Sequence, residues 1–123
     1  MTWKITYDQS NKIVIVKTNG VFDNVSVLGM RRELIEFIKS HSVIGCLLDH
    51  QDISEFRISS ADIYSMPRSY AKAGIARSLR VAVVAPALSR DKRKFLEDTS
   101  FNVGFKLSAF SDIESAIAWL GQK

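Results

Sequence analysis

The feature that most constrains the fold is an uninterrupted apolar run, Val81–Ala85, which lies between Arg80 and Pro86. Three of its five residues are valines, whose β-branched side chains are stiff in helices and pack well on a pleated sheet. Because polar residues do not alternate with apolar ones, neither face is left to solvent, which is typical of an interior parallel strand. Pro86 has no N–H group for the ladder and ends the strand. The run therefore predicts a sheet with neighbouring strands on both edges and covering layers on both faces.

The segments around this run predict elements in the order β-β-α-β-α-β-α-β-α, an α/β fold with a mixed, mostly parallel sheet of five strands. Hydrophobic and polar residues alternate over Thr2–Tyr7, and a second strand, Ile13–Val16, follows a turn of polar residues. So short a connection makes these two strands an antiparallel hairpin, which is predicted to end at Asn19 and Gly20.

The first helix is predicted to begin at Asp23 or Asn24, either of which can accept hydrogen bonds as an N-cap. Its apolar residues recur at helical spacing up to His41. Gly29 lowers the stability of this helix by about 1 kcal/mol relative to alanine. A close approach of the helix to the sheet at this position would compensate for that loss.

The third strand is the apolar segment Val43–Leu48, and residues 49–57 are predicted to leave it as a polar loop. Ser59 and Asp62 have the spacing of a capping box, so the second helix begins there. Pro67 removes a backbone hydrogen bond, which predicts a short helix, a break and a restart.

The C-terminal part contains two further helices around a short strand. Ser89 can cap a helix from about residue 90 to residue 99, and residues 105–109 alternate as a peripheral strand. Ser111 and Glu114 have capping-box spacing at the start of the last helix.

The second face of the sheet needs a cover. If each crossover places the next strand beside the last, right-handed crossovers put every helix on one face. Residues 13–16 and 81–85 are nevertheless apolar on both sides. One solution is a homodimer with Trp3, Tyr7 and Phe22 in the contact, because large exposed apolar patches are uncommon on monomers. The other is a helix, the first or the last, that crosses to this face.

The composition predicts one soluble domain over residues 1–123, with 46% hydrophobic and 24% charged residues. The net charge of +4 is too small to indicate nucleic-acid binding, and no aromatic residues interleave with the basic cluster at Arg90–Lys94. No segment is apolar over the roughly 20 residues of a membrane span, and the N-terminus lacks a signal peptide. Cys46, the single cysteine, is expected in the core, so a reducing cytoplasm is the simplest location.

Open α/β sheets tend to bind ligands at the carboxyl ends of their strands. The candidate ligand or partner site at this edge contains Asp49, His50, Asp52, Ser89 and Arg90. Carboxylates that flank a histidine suit a metal or a general base, but no second histidine lies nearby, and an aspartate at a strand end is ordinary loop capping. No nucleophile elbow, Walker loop or dinucleotide glycine signature occurs. We therefore expect no catalytic residue, metal or cofactor here.

The chain resembles the SpoIIAA-like superfamily, which holds STAS domains and small stand-alone STAS/SEC14-like proteins. The resemblance covers the whole chain and rests on the order of four stretches: the opening hairpin, Leu47–Asp49, Arg80–Val84 and Phe110–Gly121. In STAS domains that act as anti-sigma antagonists, the serine of an Asp-Ser-x-Gly motif after the third strand is phosphorylated at a helix N-terminus. The resemblance thus makes Ser59 and Ser60 candidate modification sites, although the aspartate and glycine of the motif are missing.

The resemblance implies a bacterial, cytoplasmic, non-enzymatic module that regulates or binds a protein partner, without an intact phospho-switch motif. The alternative is a small apolar-ligand or lipid-binding protein, which a pocket lined by aromatic residues would favour. An enzyme that uses Asp49 and His50 comes third, and a wet cleft from His50 to Ser89 would favour it.

Overall fold

The computed structural model describes residues 1–122 and contains the predicted elements in the predicted order. The strands are β1 (Thr2–Asp8), β2 (Ile13–Asp23), β3 (Gly45–Arg57), β4 (Arg80–Val84) and β5 (Lys106–Phe110). The helices are α1 (Asn24–Ser40), α2 (Ser60–Lys72), α3 (Arg90–Asn102) and α4 (Ile113–Leu120). None of these helices is long and apolar enough to cross a membrane.

The five strands form one sheet in the order β1-β2-β3-β4-β5. β1 pairs with β2 in antiparallel orientation, and the other three pairings are parallel. A row of facing residues runs through the parallel part, from Val14 through Cys46 and Val81 to Leu107. The predicted fold class, a mixed sheet with an N-terminal hairpin, is confirmed.

The sheet is covered on both faces, so the prediction that all helices lie on one face is wrong. Residues of α1, α2 and α3 share the main core with strand residues such as Val14 and Val83. On the other face, α4 packs Ala116 and Leu120 onto a smaller cluster that contains Ala82. The last helix therefore crosses to the second face, which is the alternative that the sequence left open.

The residues expected in a dimer contact are engaged within the chain. Phe22 is 4% exposed in the main core. Trp3 Nε1 donates a hydrogen bond of 2.6 Å to Glu33 on α1, and the ring of Tyr7 lies 5.4 Å from that of Phe37. These side chains are not a free apolar surface, so the reason for expecting a homodimer is gone, although a homodimer itself stays a prediction.

Residues 49–57, predicted as a polar loop, continue β3 instead. They pair in parallel with residues 17–23 of β2, which likewise passes the predicted end at Asn19 and Gly20. Two register shifts, between Lys17 and Asn19 and between Gly20 and Val21, interrupt the pairing. Because these irregularities break the period of two, the buried residues of this part of β3 do not alternate and give no strand pattern in the sequence.

Helix α2 is continuous through Pro67, so the predicted break and restart are wrong. Pro67 is buried, and its packing offsets part of the cost of the missing backbone hydrogen bond. Pro67 leaves the carbonyl of Ile63 without its helical donor, and the next carbonyl, that of Tyr64, accepts a hydrogen bond of 2.8 Å from Arg68 Nη1. Side-chain donation thus supplements the hydrogen bonding of the helix backbone beside the proline.

The predicted caps are confirmed at three helices and wrong at the fourth. The side chains of Asp23, Ser59 and Ser89 each accept the expected backbone hydrogen bond. The last helix is capped by Asp112, whose carboxylate accepts the N–H of Ser115 at 2.7 Å, and not by Ser111. A carboxylate next to the serine competes for the same position because both are strong N-cap groups.

Gly29 is where the first helix approaches the sheet, as expected. A Cβ atom at this position would lie 3.1 Å from Cη2 of Trp3 on β1. The absence of a side chain therefore allows the Trp3 ring to pack against α1.

Candidate functional site

The five candidate residues at the carboxyl ends of the strands do not form one site. Side chains alternate across a strand, so Asp49 and His50 point to opposite faces: Leu48 and His50 line the space beneath the main helices, whereas Leu47 packs with α4 on the side of Asp49. A cleft shared by Asp49 and His50 therefore does not exist.

His50 is a core residue that is 4% exposed. Its Nδ1 lies 2.7 Å from Oγ1 of Thr18, a hydroxyl that also donates to the Asp49 carbonyl at 3.2 Å. The rings of Phe22 and Phe56 pack edge-on against the imidazole, with centroids 5.3 and 5.9 Å away. Burial lowers the pKa of His50 from 6.5 to about 4, so the ring is neutral at pH 7 and faces apolar neighbours.

Asp52 and Ser89 are occupied by local interactions, and Arg90 lies elsewhere. Asp52 approaches Lys17 at 4.0 Å, and both side chains are more than half exposed, so the pair contributes little. Ser89 accepts the N–H of Lys92 at 3.2 Å as the N-cap of α3. Arg90 lines a groove between α3 and the end of β5, of which His50 is not part. Within residues 1–122, no group of three or more His, Cys, Asp or Glu side chains is arranged to hold a metal.

Ser59 and Ser60, the candidate modification sites, are exposed at the start of α2. Ser59 accepts the N–H of Asp62 at 3.2 Å, and the Asp62 carboxylate accepts the N–H of Ser59 at 2.8 Å. This capping box is the one that the sequence predicts. The backbone hydrogen bond from Ser59 also lowers the pKa of the Asp62 carboxyl.

The start of α2 adjoins a surface along the line where α2 and α3 meet. Lys92 Nζ donates to the carbonyl of Ile58 at 2.9 Å, and Arg68 Nη1 donates to Oγ1 of Thr99 at 2.6 Å. The Arg68 guanidinium also lies 3.6 Å from the ring centroid of Tyr64, which is 50% exposed.

Phe95 lies on the same side of α3 as these contacts. It comes three residues after Lys92 and four before Thr99, a spacing that puts all three residues on one helix face. The Phe95 side chain is 36% exposed. We call the surface of Ser59, Ser60, Tyr64, Arg68 and Phe95 the α2–α3 seam.

A cavity of about 100 Å³ lies between the sheet and the helices α1, α2 and α3. Its lining is almost entirely apolar and includes four aromatic residues: Phe22, Phe56, Tyr70 and Phe105. A pocket of this kind is the feature that would favour a ligand-binding function. The sequence contains no signal for it, because its lining comes from seven different elements and the loops between them.

The comparisons with known proteins support the fold. No family model and no curated protein matches the sequence. SpoIIAA, an anti-sigma factor antagonist whose structure was solved in its unphosphorylated form, is 15% identical with a TM-score of 0.63, and the match covers 99% of both chains.

Two further solved structures match nearly the whole chain. An anti-sigma factor antagonist from Mycobacterium paratuberculosis is 17% identical with a TM-score of 0.64, over 98% of this chain and 94% of the other. An uncharacterised protein with a SpoIIAA-like fold from Shewanella loihica PV-4 is 16% identical with a TM-score of 0.62, over 97% and 92%. This chain therefore has the SpoIIAA-like fold, as the sequence resemblance implied.

Proposed function

We propose that this protein is a non-enzymatic regulatory module of the bacterial cytoplasm that binds a protein partner through the α2–α3 seam. The observation that carries the proposal is the pairing of Tyr64, half-exposed, with Arg68 next to an exposed, capped helix start. Tyrosine and arginine are enriched at the centres of protein interfaces. Two structural neighbours are anti-sigma factor antagonists, one of them from Mycobacterium paratuberculosis. This likeness supports a regulatory role.

The geometry of the candidate catalytic residues favours a module without enzymatic activity. A general base must reach the proton that it abstracts in a bound substrate. His50 is instead buried between two phenylalanine rings and held by Thr18. Asp49 lies on the opposite face of the same strand, so the two cannot act on one substrate.

We further propose that a negative charge at Ser59 or Ser60 regulates this surface. A phosphate at a helix N-terminus is stabilised by the helix dipole and by the unpaired N–H groups of the first turn. It would also add charge beside the exposed ring of Tyr64, where a partner is proposed to dock. Phosphorylation at this position is therefore expected to change partner affinity with little effect on the fold.

Capture experiments with matched variants test the interface. Wild-type protein, a Tyr64→Ala/Phe95→Ala variant and an Ile117→Ala control are each immobilised and exposed to lysate of the native host, followed by quantitative mass spectrometry. Ile117 is 51% exposed on α4, which covers the other face of the sheet, so its loss controls for non-specific apolar contact. We expect a defined protein to be retained by the wild type and the control and lost from the seam variant. Equal retention by all three would contradict the proposal.

Phosphomimetic variants test the regulation of the seam separately. The partner that is captured is titrated against the Ser59→Asp and Ser60→Asp proteins, with Ser78→Asp, before β4, as an exposed control. Weaker binding by at least one of the first two, with the control unchanged, is expected. If neither variant changes affinity, the seam is an interface without this regulation.

Self-association is a separate proposal, since α4 already covers the second face. A homodimer would have to use another surface, such as the edge of β1 or β5, the two outer strands of the sheet. The edge of β5 is partly occupied, because Glu97 accepts the N–H of Ala109 at 3.2 Å. Light scattering at micromolar concentration tests it, because a mass that stays at 13.8 kDa rules out the dimer.

A further inference from the structure

Two buried side-chain polar atoms within residues 1–122 have no hydrogen-bond partner, Arg31 Nε and Ser100 Oγ. Both residues line the cavity between the sheet and the three helices. Buried polar groups are almost always paired, so two unpaired donors on one cavity need an explanation. We propose that the cavity binds a small monocarboxylate with an apolar body, whose carboxylate pairs with Arg31. This inference is independent of the proposed function of the α2–α3 seam.

The charge of Arg31 has no counterpart in the surrounding protein. None of the residues that line the cavity is acidic, and Arg31 has no ion-pair partner within the part of the chain that the structure describes. Its guanidinium carbon lies 5.7 Å from the ring centroid of Tyr70. Burial raises the pKa of Tyr70, and a side-chain hydrogen bond with Arg31 offsets part of that rise, so the neighbour of this cation is a phenol and not a carboxylate. A carboxylate matches the fork of N–H donors of a guanidinium in a bidentate, charge-assisted pair.

Ser100 supplies a second donor at the cavity wall. The residue is fully buried on α3, and its hydroxyl can donate to an oxygen acceptor. Arg31 belongs to α1 and Ser100 to α3. A ligand in the cavity that reaches either side chain therefore lies between the helices and the sheet. A ligand rich in acceptors would satisfy donors that the protein leaves unpaired, and it would remove the penalty of burying them.

The rest of the cavity determines the body of the ligand. Its walls are apolar, with four aromatic side chains, which favours a hydrocarbon or an aromatic ring over a polyhydroxylated compound. The volume of about 100 Å³ is of the same order as the ~150 Å³ of a dry engineered cavity that holds benzene. It is well below the roughly 300–1,000 Å³ of pockets for drug-sized molecules. The ligand is therefore of the size of benzoate or hexanoate, too small to be a phospholipid.

Calorimetry with matched probes tests the wild-type protein. Hexanoate and benzoate are titrated at pH 7, with hexanol and benzyl alcohol as uncharged counterparts and acetate as a carboxylate without an apolar body. We expect hexanoate or benzoate to bind about tenfold or more tightly than both the matched alcohol and acetate. Absence of binding by both carboxylates, or equal affinity for the alcohols, would overturn the proposal without any variant having to fold.

Variants at Arg31 then test its assignment. Arg31→Met keeps a long apolar side chain and removes the charge, and Arg32→Met is the control because Arg32 is exposed on the same helix. Arg31→Met is expected to weaken hexanoate binding about tenfold or more while hexanol binding changes little. Arg31→Lys is expected to retain part of the affinity, and Ser100→Ala to reduce it to a smaller extent. Equal affinity in Arg31→Met and Arg32→Met would refute the role of Arg31.

Discussion

The buried imidazole of His50 predicts a loss of stability in mild acid. In the folded protein its pKa falls from 6.5 to about 4 because burial disfavours the charged form. In the unfolded chain the same ring is solvated and takes up a proton near pH 6.5. Between these two values the unfolded state binds one proton more than the folded state, so the free energy of unfolding decreases as the pH falls. The contribution is complete above pH 6.5 and is lost as the pH approaches 4.

The size of this loss follows from the shift. One pKa unit corresponds to about 1.4 kcal/mol, so the drop in the pKa of His50 from 6.5 to about 4 corresponds to about 3 kcal/mol of stability. That is a large part of the 5–15 kcal/mol by which domains of ordinary stability resist unfolding. The deep burial of the ring, with Phe22 and Phe56 against it, leaves little solvent to screen the charge, so most of this penalty should be felt.

The shifted carboxyl groups do not obscure this pH window. Hydrogen bonds lower the pKa of four exposed carboxyl groups below the ordinary value of 3.8: Asp8, Asp23, Asp62 and Asp112. Their stabilising contribution is complete above pH 3.8 and is lost only below it. Loss of stability between pH 6.5 and 4 is therefore expected to report mainly on His50.

Urea unfolding at a series of pH values from 7 to 4.5, followed by tryptophan fluorescence, measures the effect. His50→Gln removes the titrating group, and His41→Gln serves as the control because His41 is exposed at the end of α1. The wild type and His41→Gln should lose stability in parallel as the pH falls, whereas His50→Gln should start lower and change much less. If the slope of His50→Gln equals that of the wild type, the buried ring is not the source and the reasoning fails.

Three other substitutions or reactions test local features of the fold. Ser59→Ala should lower the free energy of unfolding by about 0.5–2 kcal/mol and Ser59→Asp by much less, because aspartate also caps a helix; equal losses in urea unfolding would indicate a different role. Gly74→Ala should lower the free energy of unfolding by about 1 kcal/mol because Gly74 has a φ of +85°, which alanine adopts only with strain. Gly121→Ala, at a φ of −82°, should leave the stability unchanged or raise it slightly. Equal effects of the two substitutions on thermal unfolding would contradict this. Cys46, whose thiol pKa burial raises to about 12, should react with a thiol reagent only as fast as the protein opens, and rapid labelling of the folded protein would count against its burial.

Local signals in the sequence predicted much of the fold because they act within one turn or one strand. The N-caps at Asp23, Ser59 and Ser89 depend on a side chain and a backbone group three residues apart. The interior strand around Val83 is predicted from five contiguous residues. Such features keep their structure in almost any tertiary context, so pattern and propensity suffice to find them.

The N-cap expected at Ser111 failed through local competition from Asp112, but most of the other predictions that failed depend on partners distant in the chain. The outer part of β3 is a strand because it pairs with β2, and its buried residues, His50 and Ile53, are spaced irregularly where the ladder is shifted. His50 is partnered by Thr18, which lies 32 residues earlier. The seam between α2 and α3 likewise depends on Arg68 and Thr99, 31 residues apart. No pattern within a single segment contains this information.

The crossing of α4 and the position of the cavity follow from one topological rule. The preference for right-handed crossovers applies only to helices that connect two parallel strands. Helices α1, α2 and α3 are such connections and therefore share a face, whereas no strand follows α4 within residues 1–122. The last helix is not held to that face, and it covers the apolar second face of the sheet, where it packs near Ala82 and Val84. On the crowded face, α1 packs on β1 and β2 while α2 and α3 pack on each other near β5. The space over the middle strand, β3, is lined by Cys46 and Leu48 and lies between these two groups of helices. A cavity at this place is therefore a consequence of the strand order, and Arg31 Nε, which has no hydrogen-bond partner, lies at its wall.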